Sequence, residues 1–238
     1  TTRCKCKLMK KIILTIIAFL VPMSSFAYFF NASYFQLDAT TPNEPTSQIT
    51  MMAWVYSSST ATQFIVHRGS VQEQYMCRLQ SGTSVRMSIN ATGTPFVMTS
   101  SASAPVNKWN HIACVYDGTK QVIYINSAST TSRSMTGNLI ATTTYLRVGS
   151  GRTATNGVSL PMGGWIQDLR IYNRALSAKE IQNHYLTSTA NNTGLVYHFP
   201  LLWTTAMNIG SSRNNNASTT NSTPFMSKRG ALIGRYRR

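Results

Sequence analysis

Residues 107–126 read NKWNHIACVYDGTKQVIYIN, and this stretch sets the fold. Its side chains alternate. Ile112, Cys114 and Tyr116 point one way and Ala113 and Val115 the other, which is the two-residue period of a strand. Asp117-Gly118 supplies a turn, because glycine reaches positive φ without a Cβ clash. Val122, Tyr124 and Asn126 return on a second strand. The stretch is a β-hairpin, and Trp109 at its entrance is expected to plug the end of a core.

Outward from the hairpin the chain keeps the same period. ITMMAWVY (49–56) is apolar on both faces, so it is expected to be a central strand covered on both sides. TQFIVHRG (62–69) follows, then EQYMCRLQ (73–80) and SVRMSIN (84–90), divided by Ser81-Gly82. PFVMTS (95–100) is a shorter strand, and TTYLRVGS (143–150) and MGGWIQDLRIYN (162–173) complete the count. Short strands at regular spacing, with Ser-, Thr-, Asn- and Gly-rich loops, predict an all-β sandwich rather than alternating β and α units. One helix breaks the series, near 177–186. Ser177 with Glu180 three residues on forms a capping box, and Ile181 and Tyr185 share a face.

These strands resemble a known family. KWNHIACVYDGTKQVIYIN (108–126) is similar to the Trp-x-His-Ile/Val-Ala-x-x-Tyr-Asp-Gly hairpin of laminin G-like domains, within the concanavalin A-like lectin/glucanase superfamily. FNASYFQLD (30–38) resembles its opening strand, ITMMAWVY its Trp-bearing strand and YLRVGSG (145–151) its Leu-x-Ile-Gly strand. MGGWIQDLRIYNRALSAKEIQNHY (162–185) is the most specific match, and the resemblance runs from about 28 to 200. Ser127 departs from the family's glycine, and Gln167 from the first of its two acids. GLVYHFPLLW (194–203) resembles the segment that closes such a domain. The resemblance implies a jelly-roll of two antiparallel sheets that binds glycans or proteins outside the cell.

The ends differ from the body. Met9-Lys10-Lys11, the apolar run Ile12 to Val21 and Ser25-Phe26-Ala27 have the order of a secretory signal cut after Ala27. The apolar run is too short for a transmembrane span, which needs about 20 residues. Residues 1–27 are therefore assigned to leader, 28–210 to the sandwich and 211–238 to a polar, basic tail too poor in apolar residues to bury a core. The formal charge of +16 is largely a property of the ends: five Lys/Arg lie in 1–27 and five in 227–238. The body keeps 12 basic residues against 6 acids and lacks the aromatic–basic interleaving of single-strand nucleic-acid binders. Export also argues against a nucleic-acid partner; an anionic polysaccharide or cell surface suits the balance better. Asn31, Asn90, Asn191, Asn216 and Asn221 match the glycosylation pattern. Export permits a Cys77–Cys114 disulfide, with buried free thiols as the competing state.

The acids Asp38, Glu44, Glu73, Asp117, Asp168 and Glu180 are too scattered for the paired carboxylates of a glycosidase, and no serine sits in a nucleophile elbow. His67, His111, His184 and His198 lack metal-ligand spacing. Calcium is the one cofactor to weigh, with Asp38, Asn43 and Glu44 in one loop. A sugar site needs aromatic faces and planar polar groups. The candidates are Trp165, Tyr75 and Tyr145, with Arg147, Arg152 and Asn156 on a loop rim, each against a competing role in packing or a solvated loop. The expectation is a secreted or cell-surface carbohydrate-binding or adhesion module without catalytic activity, whose partner is a glycan or extracellular protein. A structural or assembly protein of an extracellular surface is the alternative, and a glycoside hydrolase the third reading.

Overall fold

A computed structural model describes residues 27–37, 43–69, 73–81, 83–91, 93–201 and 218–220. The leader up to Phe26, Asp38 and all of the tail except 218–220 lie outside the described residues. In chain order the strands are β1 (Tyr28–Asn31), β2 (Tyr34–Leu37), β3 (Ile49–Ser57), β4 (Gln63–Gly69), β5 (Glu73–Leu79), β6 (Ser84–Ala91), β7 (Thr94–Ser103), β8 (Trp109–Tyr116), β9 (Lys120–Ile125), β10 (Ala128–Ser134), β11 (Leu146–Val148), β12 (Gly151–Arg152), β13 (Val158–Ser159), β14 (Gly163–Tyr172), β15 (Leu195–Phe199) and β16 (Ser218–Thr220). Among the described residues one helix, α1, spans Ala178–Thr187.

The first sheet runs β1-β14-β3-β8-β9-β10, with β15 also beside β14, and the second runs β16-β2-β11-β4-β5-β6-β7. All pairings are antiparallel, and β12 and β13 form a small separate hairpin. The core lies between the sheets. Met51, Ala53 and Val55 of β3 and Ile112, Cys114 and Tyr116 of β8 face Val66 of β4, Cys77 and Leu79 of β5 and Met87 and Ile89 of β6. The sandwich fold implied by the sequence is the fold observed.

The opening hairpin forms as its alternation requires. Cys114 pairs with Ile123 and Val115 with Val122. Gly118 takes φ +92, and the Asp117 carboxylate accepts from the backbone of Thr119 and Lys120. The other face of β3 and β8 is covered too: Met52, Ala113 and Val115 pack with Tyr172, Leu176 and Ile181 beneath α1. The helix starts where Ser177 accepts from the Glu180 amide while Glu180 accepts from that of Ser177. Two expectations change. The opening strand is two strands, because Ala32 turns at φ 56 and sends β1 to one sheet and β2 to the other. Trp109 does not plug the core; it stands on the same face as His111 and Ala113, outside the sandwich. The 194–200 segment closes the first sheet through β15.

Candidate functional site

The two outer faces are treated differently. Helix α1 covers part of the first sheet. On the second, alternation fixes which side chains leave the core. Leu146 and Val148 point inward, so Arg147 between them points outward; the same holds for His67 after Val66, Arg78 between Cys77 and Leu79, and Arg86 between Val85 and Met87. Register then aligns them. One row across the sheet reads Gln36, Arg147, His67, Met76, Ser88 and Val97. The next reads Phe64, Arg78, Arg86 and Thr99.

Arg147 is a structural clamp. Its Nε donates to Gln36 Oε1 at 2.9 Å, Nη1 to the carbonyls of Gly151 and Gly157 at 3.2 and 2.8 Å, and Nη2 to Asn156 O and Oδ1 at 2.9 and 2.7 Å. Its guanidinium also lies 4.4 Å from the Tyr34 ring centroid. One arginine thus holds the β12–β13 hairpin over the sheet, which a planar five-donor fork does and a lysine would not. Gly151 completes the seat: a Cβ there would come within 2.5 Å of the Phe64 ring. Two further guanidiniums rest on aromatic rings. Arg78 lies 5.4 Å from the centroid of Phe64 and Arg152 5.4 Å from that of Tyr145.

His67 sits among these groups, 2% exposed, with its Nε2 3.8 Å from Glu73 Oε1. Burial pushes its pKa down to about 4, helped by the positive charges of Arg147, Arg152 and Arg78. The imidazole is therefore neutral at pH 7. Several polar atoms on this face have no hydrogen-bond partner, including His67 Nδ1, Ser88 Oγ, and the Nε of Arg78 and of Arg152.

A family model described as the concanavalin A-like lectin/glucanases superfamily, laminin G type, matches residues 30–182. The chain belongs to this laminin G-like family. No curated protein sequence matches it. Solved structures share the fold at low identity. A Bacteroides ovatus protein assigned to carbohydrate binding superposes with TM-score 0.63 at 14% identity, over 82% of this chain and 58% of that one. A heptameric SAP-like pentraxin from Limulus polyphemus gives 0.54 at 15%, over 84% and 94%. The CBM40 of a Ruminococcus gnavus sialidase, bound to α2,3-sialyllactose, gives 0.55 at 16%, over 66% and 95%. The chain thus spans a little over half the length of the first of these.

Within this laminin G-like domain the sequence candidates separate. Tyr145, Arg147, Arg152 and Asn156 come together around the β12–β13 hairpin, although Arg147 and Asn156 are spent on each other. Tyr75 is a correction: it is 0% exposed, in the core, and cannot meet a ligand. Trp165 lies apart from them, on the other sheet. There it joins a row of aromatic side chains in strand register, Phe29, Trp165, Tyr56 and Trp109, with ring centroids 4.6, 5.1 and 5.8 Å apart. Sequence reasoning missed His67, Arg78 and Arg86. Their signal was present, since each is a polar residue alternating with core residues on a strand.

The carboxylates are engaged separately. Glu44 turns inward to Arg68 at 2.9 Å and to the Tyr197 hydroxyl in an internal ion pair, and Asp38 of the same expected calcium loop lies outside the described residues. Asn43 spends its carbonyl on Asn173. Glu180 caps α1 and pairs with Arg174 at 2.6 Å. Asp168, at φ 51, accepts from His184 Nε2 at 2.8 Å, His198 Nε2 at 2.5 Å and Arg170 Nε at 2.8 Å. Because the carboxylate only accepts, His184 Nε2 carries a proton, and its Nδ1 shares a hydrogen bond with His111 Nε2 at 2.9 Å. Burial raises the Asp168 pKa, but the bonds from His184 and His198 and the Arg170 charge outweigh it and hold the group well below the usual range. The chain Asp168–His184–His111 ties α1 to the first sheet. Among the described residues no group of three or more His, Cys, Asp and Glu side chains is placed to hold a metal ion, and no helix is long and apolar enough to cross a membrane.

The two core cysteines meet from opposite sheets. Cys77 Sγ of β5 and Cys114 Sγ of β8 are 3.1 Å apart as free thiols. Of the glycosylation acceptors, Asn31 and Asn191 are exposed, Asn90 is fully buried, and Asn216 and Asn221 lie outside the described residues.

Proposed function

We propose that this laminin G-like domain is an exported carbohydrate-binding module that holds its ligand without transforming it. The observation that supports it best is the outer face of the second sheet. Arg78 and Arg152, both partly exposed, lie there near the rings of Phe64 and Tyr145, beside a hairpin held by Arg147. A sugar meets such a face with its hydroxyls on the donors and its C–H surfaces on the rings. Similarity of fold to carbohydrate-binding proteins supports the same reading. The separate engagement of each described carboxylate supports binding without hydrolysis. Affinity electrophoresis of the full chain through gels containing single polysaccharides tests it. Retardation by at least one, lost in Tyr145→Ala and without release of reducing ends, is expected; uniform mobility in every gel refutes it.

The second reading, an assembly protein of an extracellular surface, is favoured by one feature. Phe29, 47% exposed, heads the aromatic row at the edge strand of the first sheet. A concentration-dependent oligomer in sugar-free buffer, abolished by Phe29→Asp, would establish it.

A further inference from the structure

We propose that helix α1 is an acid-released cover: the hydrogen bond between His184 of the helix and His111 of β8 has room for one hydrogen, and full protonation of the pair frees the helix from the first sheet. The two ring nitrogens, His184 Nδ1 and His111 Nε2, stand 2.9 Å apart. A contact of that length is one N–H group facing one lone pair. With both rings neutral, one donates and the other accepts. With one ring charged, it donates to its neutral neighbour. With both charged, two N–H groups point into the same gap, and two like charges share a space in which each residue is 0% exposed. The docked pair therefore takes up at most one proton, whereas two solvated imidazoles take up one each below about pH 6.5.

The groups around the pair keep to this limit. Toward His184, β14 presents the Asp168 carboxylate, 2.8 Å from Nε2, with Arg170 bound to it, and β15 presents His198, bound to the same carboxylate. Tyr172 of β14 lies in the same layer. One carboxylate thus serves two imidazoles and a guanidinium. Toward His111 the neighbours are aromatic, Trp54 of β3 and Tyr185 of the helix, and His111 Nδ1 has no hydrogen-bond partner. Burial pushes the His111 pKa down to about 3, with His184 adding to the fall and Asp168 opposing it. At the helix N-terminus Glu180 is paired with Arg174 at 2.6 Å, and Lys179 is exposed. Release of α1 uncovers Met52, Ala113 and Val115 and takes the Tyr185 ring off Trp54, on which it stacks at 5.5 Å. The apolar surface so opened is continuous with Tyr56 and Trp109 on the same two strands.

Hydrogen exchange of the full chain, resolved by segment and corrected for intrinsic rates, tests this between about pH 7 and 4. Below about pH 6 the released form binds at least one proton more than the docked form. The opening equilibrium of 178–187 should then rise about tenfold or more per pH unit, while β3 and β8 beneath keep their protection. Titration of His67, on the other sheet, acts through global stability and moves all segments together. No rise in 178–187, or a rise that β3 and β8 match, overturns the proposal. In His111→Gln the amide can donate to a neutral His184 or accept from a charged one, so opening should change less than about twofold per pH unit. A slope like that of the wild type overturns the assignment to this pair. Nitrogen NMR of the imidazoles needs no variant. In the wild type at about pH 5, at most one of the two rings is expected to be doubly protonated under a protected helix, and two such rings overturn the proposal as well.

Discussion

Oxidation is expected to join Cys77 to Cys114 and to raise stability by a calculable amount. The two sulfurs already face each other at 3.1 Å and need to close to about 2.05 Å. The bond would close a loop between residues 37 apart. The chain-entropy relation gives about 4 kcal/mol for such a loop, before any strain in the folded state. For a domain of this size that is roughly 8–15 °C in melting temperature. The cross-link also pins the sheets together, since β5 and β8 belong to different layers. Once folded in the reduced form, the pair should be slow to react. Burial, with the contact to Cys77, pushes the Cys114 thiol well above its ordinary pKa, and the thiolate is the reactive species. The bond should therefore form during folding under oxidising conditions. The assay compares chain refolded with oxidised glutathione, its two-hydrogen mass loss confirmed, against chain refolded with a reductant. If the oxidised form melts no higher than the reduced one, the facing of these sulfurs does not amount to a relaxed bonding geometry and the reasoning fails.

Asp168→Asn keeps a residue that tolerates the left-handed backbone but sets an amide donor against the N–H of His184 or His198; a loss of roughly 3–5 kcal/mol is expected by urea denaturation, and a loss below 1 would refute the network's role. Arg147→Lys cannot reproduce the fork, so amide exchange in 151–159 should accelerate and stability fall by roughly 2–4 kcal/mol, whereas unchanged exchange would contradict the clamp. His67 is buried neutral with its pKa at about 4, so between pH 4 and its unfolded value near 6.5 the unfolded chain binds more protons. The His67 contribution is therefore intact above about pH 6.5 and declines as pH falls to 4, by about 3 kcal/mol in all. Denaturant midpoints that drop across this window in the wild type and less in His67→Gln would bear this out.

The sandwich was legible because burial writes itself into alternation. Ile112, Cys114 and Tyr116 are core residues on an unbroken period of two, and Asp117-Gly118 has few conformations other than a turn. Strand β10 was not legible. Its residues, ASTTSRS, lie at an edge with no buried position, so no apolar residue marks them. The split of β1 from β2 was hidden for a different reason. Both halves are apolar, and the change of sheet at Ala32 is a matter of one φ angle. The site was half legible. Tyr145, Arg147 and Arg152 were drawn together by sequence proximity, but Arg78 and His67 reach them only through the β11–β4–β5 register. Tyr75 failed because a tyrosine at a strand position reads alike on either face, and only its neighbours Gln74 and Met76 on the outer side reveal that it points inward.

Why one outer face should serve a ligand follows from how the other is used. The first sheet spends its outer surface on α1. Met52, Ala113 and Val115 need an apolar cover, and the helix brings His184 down onto His111 and Asp168 to anchor it. A partner arriving there would have to displace a docked helix and strip three bonds from a buried carboxylate. On the second sheet no helix among the described residues plays that part. Its outer side chains mix cationic and polar groups with Phe64, Met76 and Val97, and the hairpin that leans over it is fixed by Arg147 from beneath, with Arg78 and Arg152 beside the rings of Phe64 and Tyr145. Donors kept in fixed positions without acceptors are a standing cost to the folded chain.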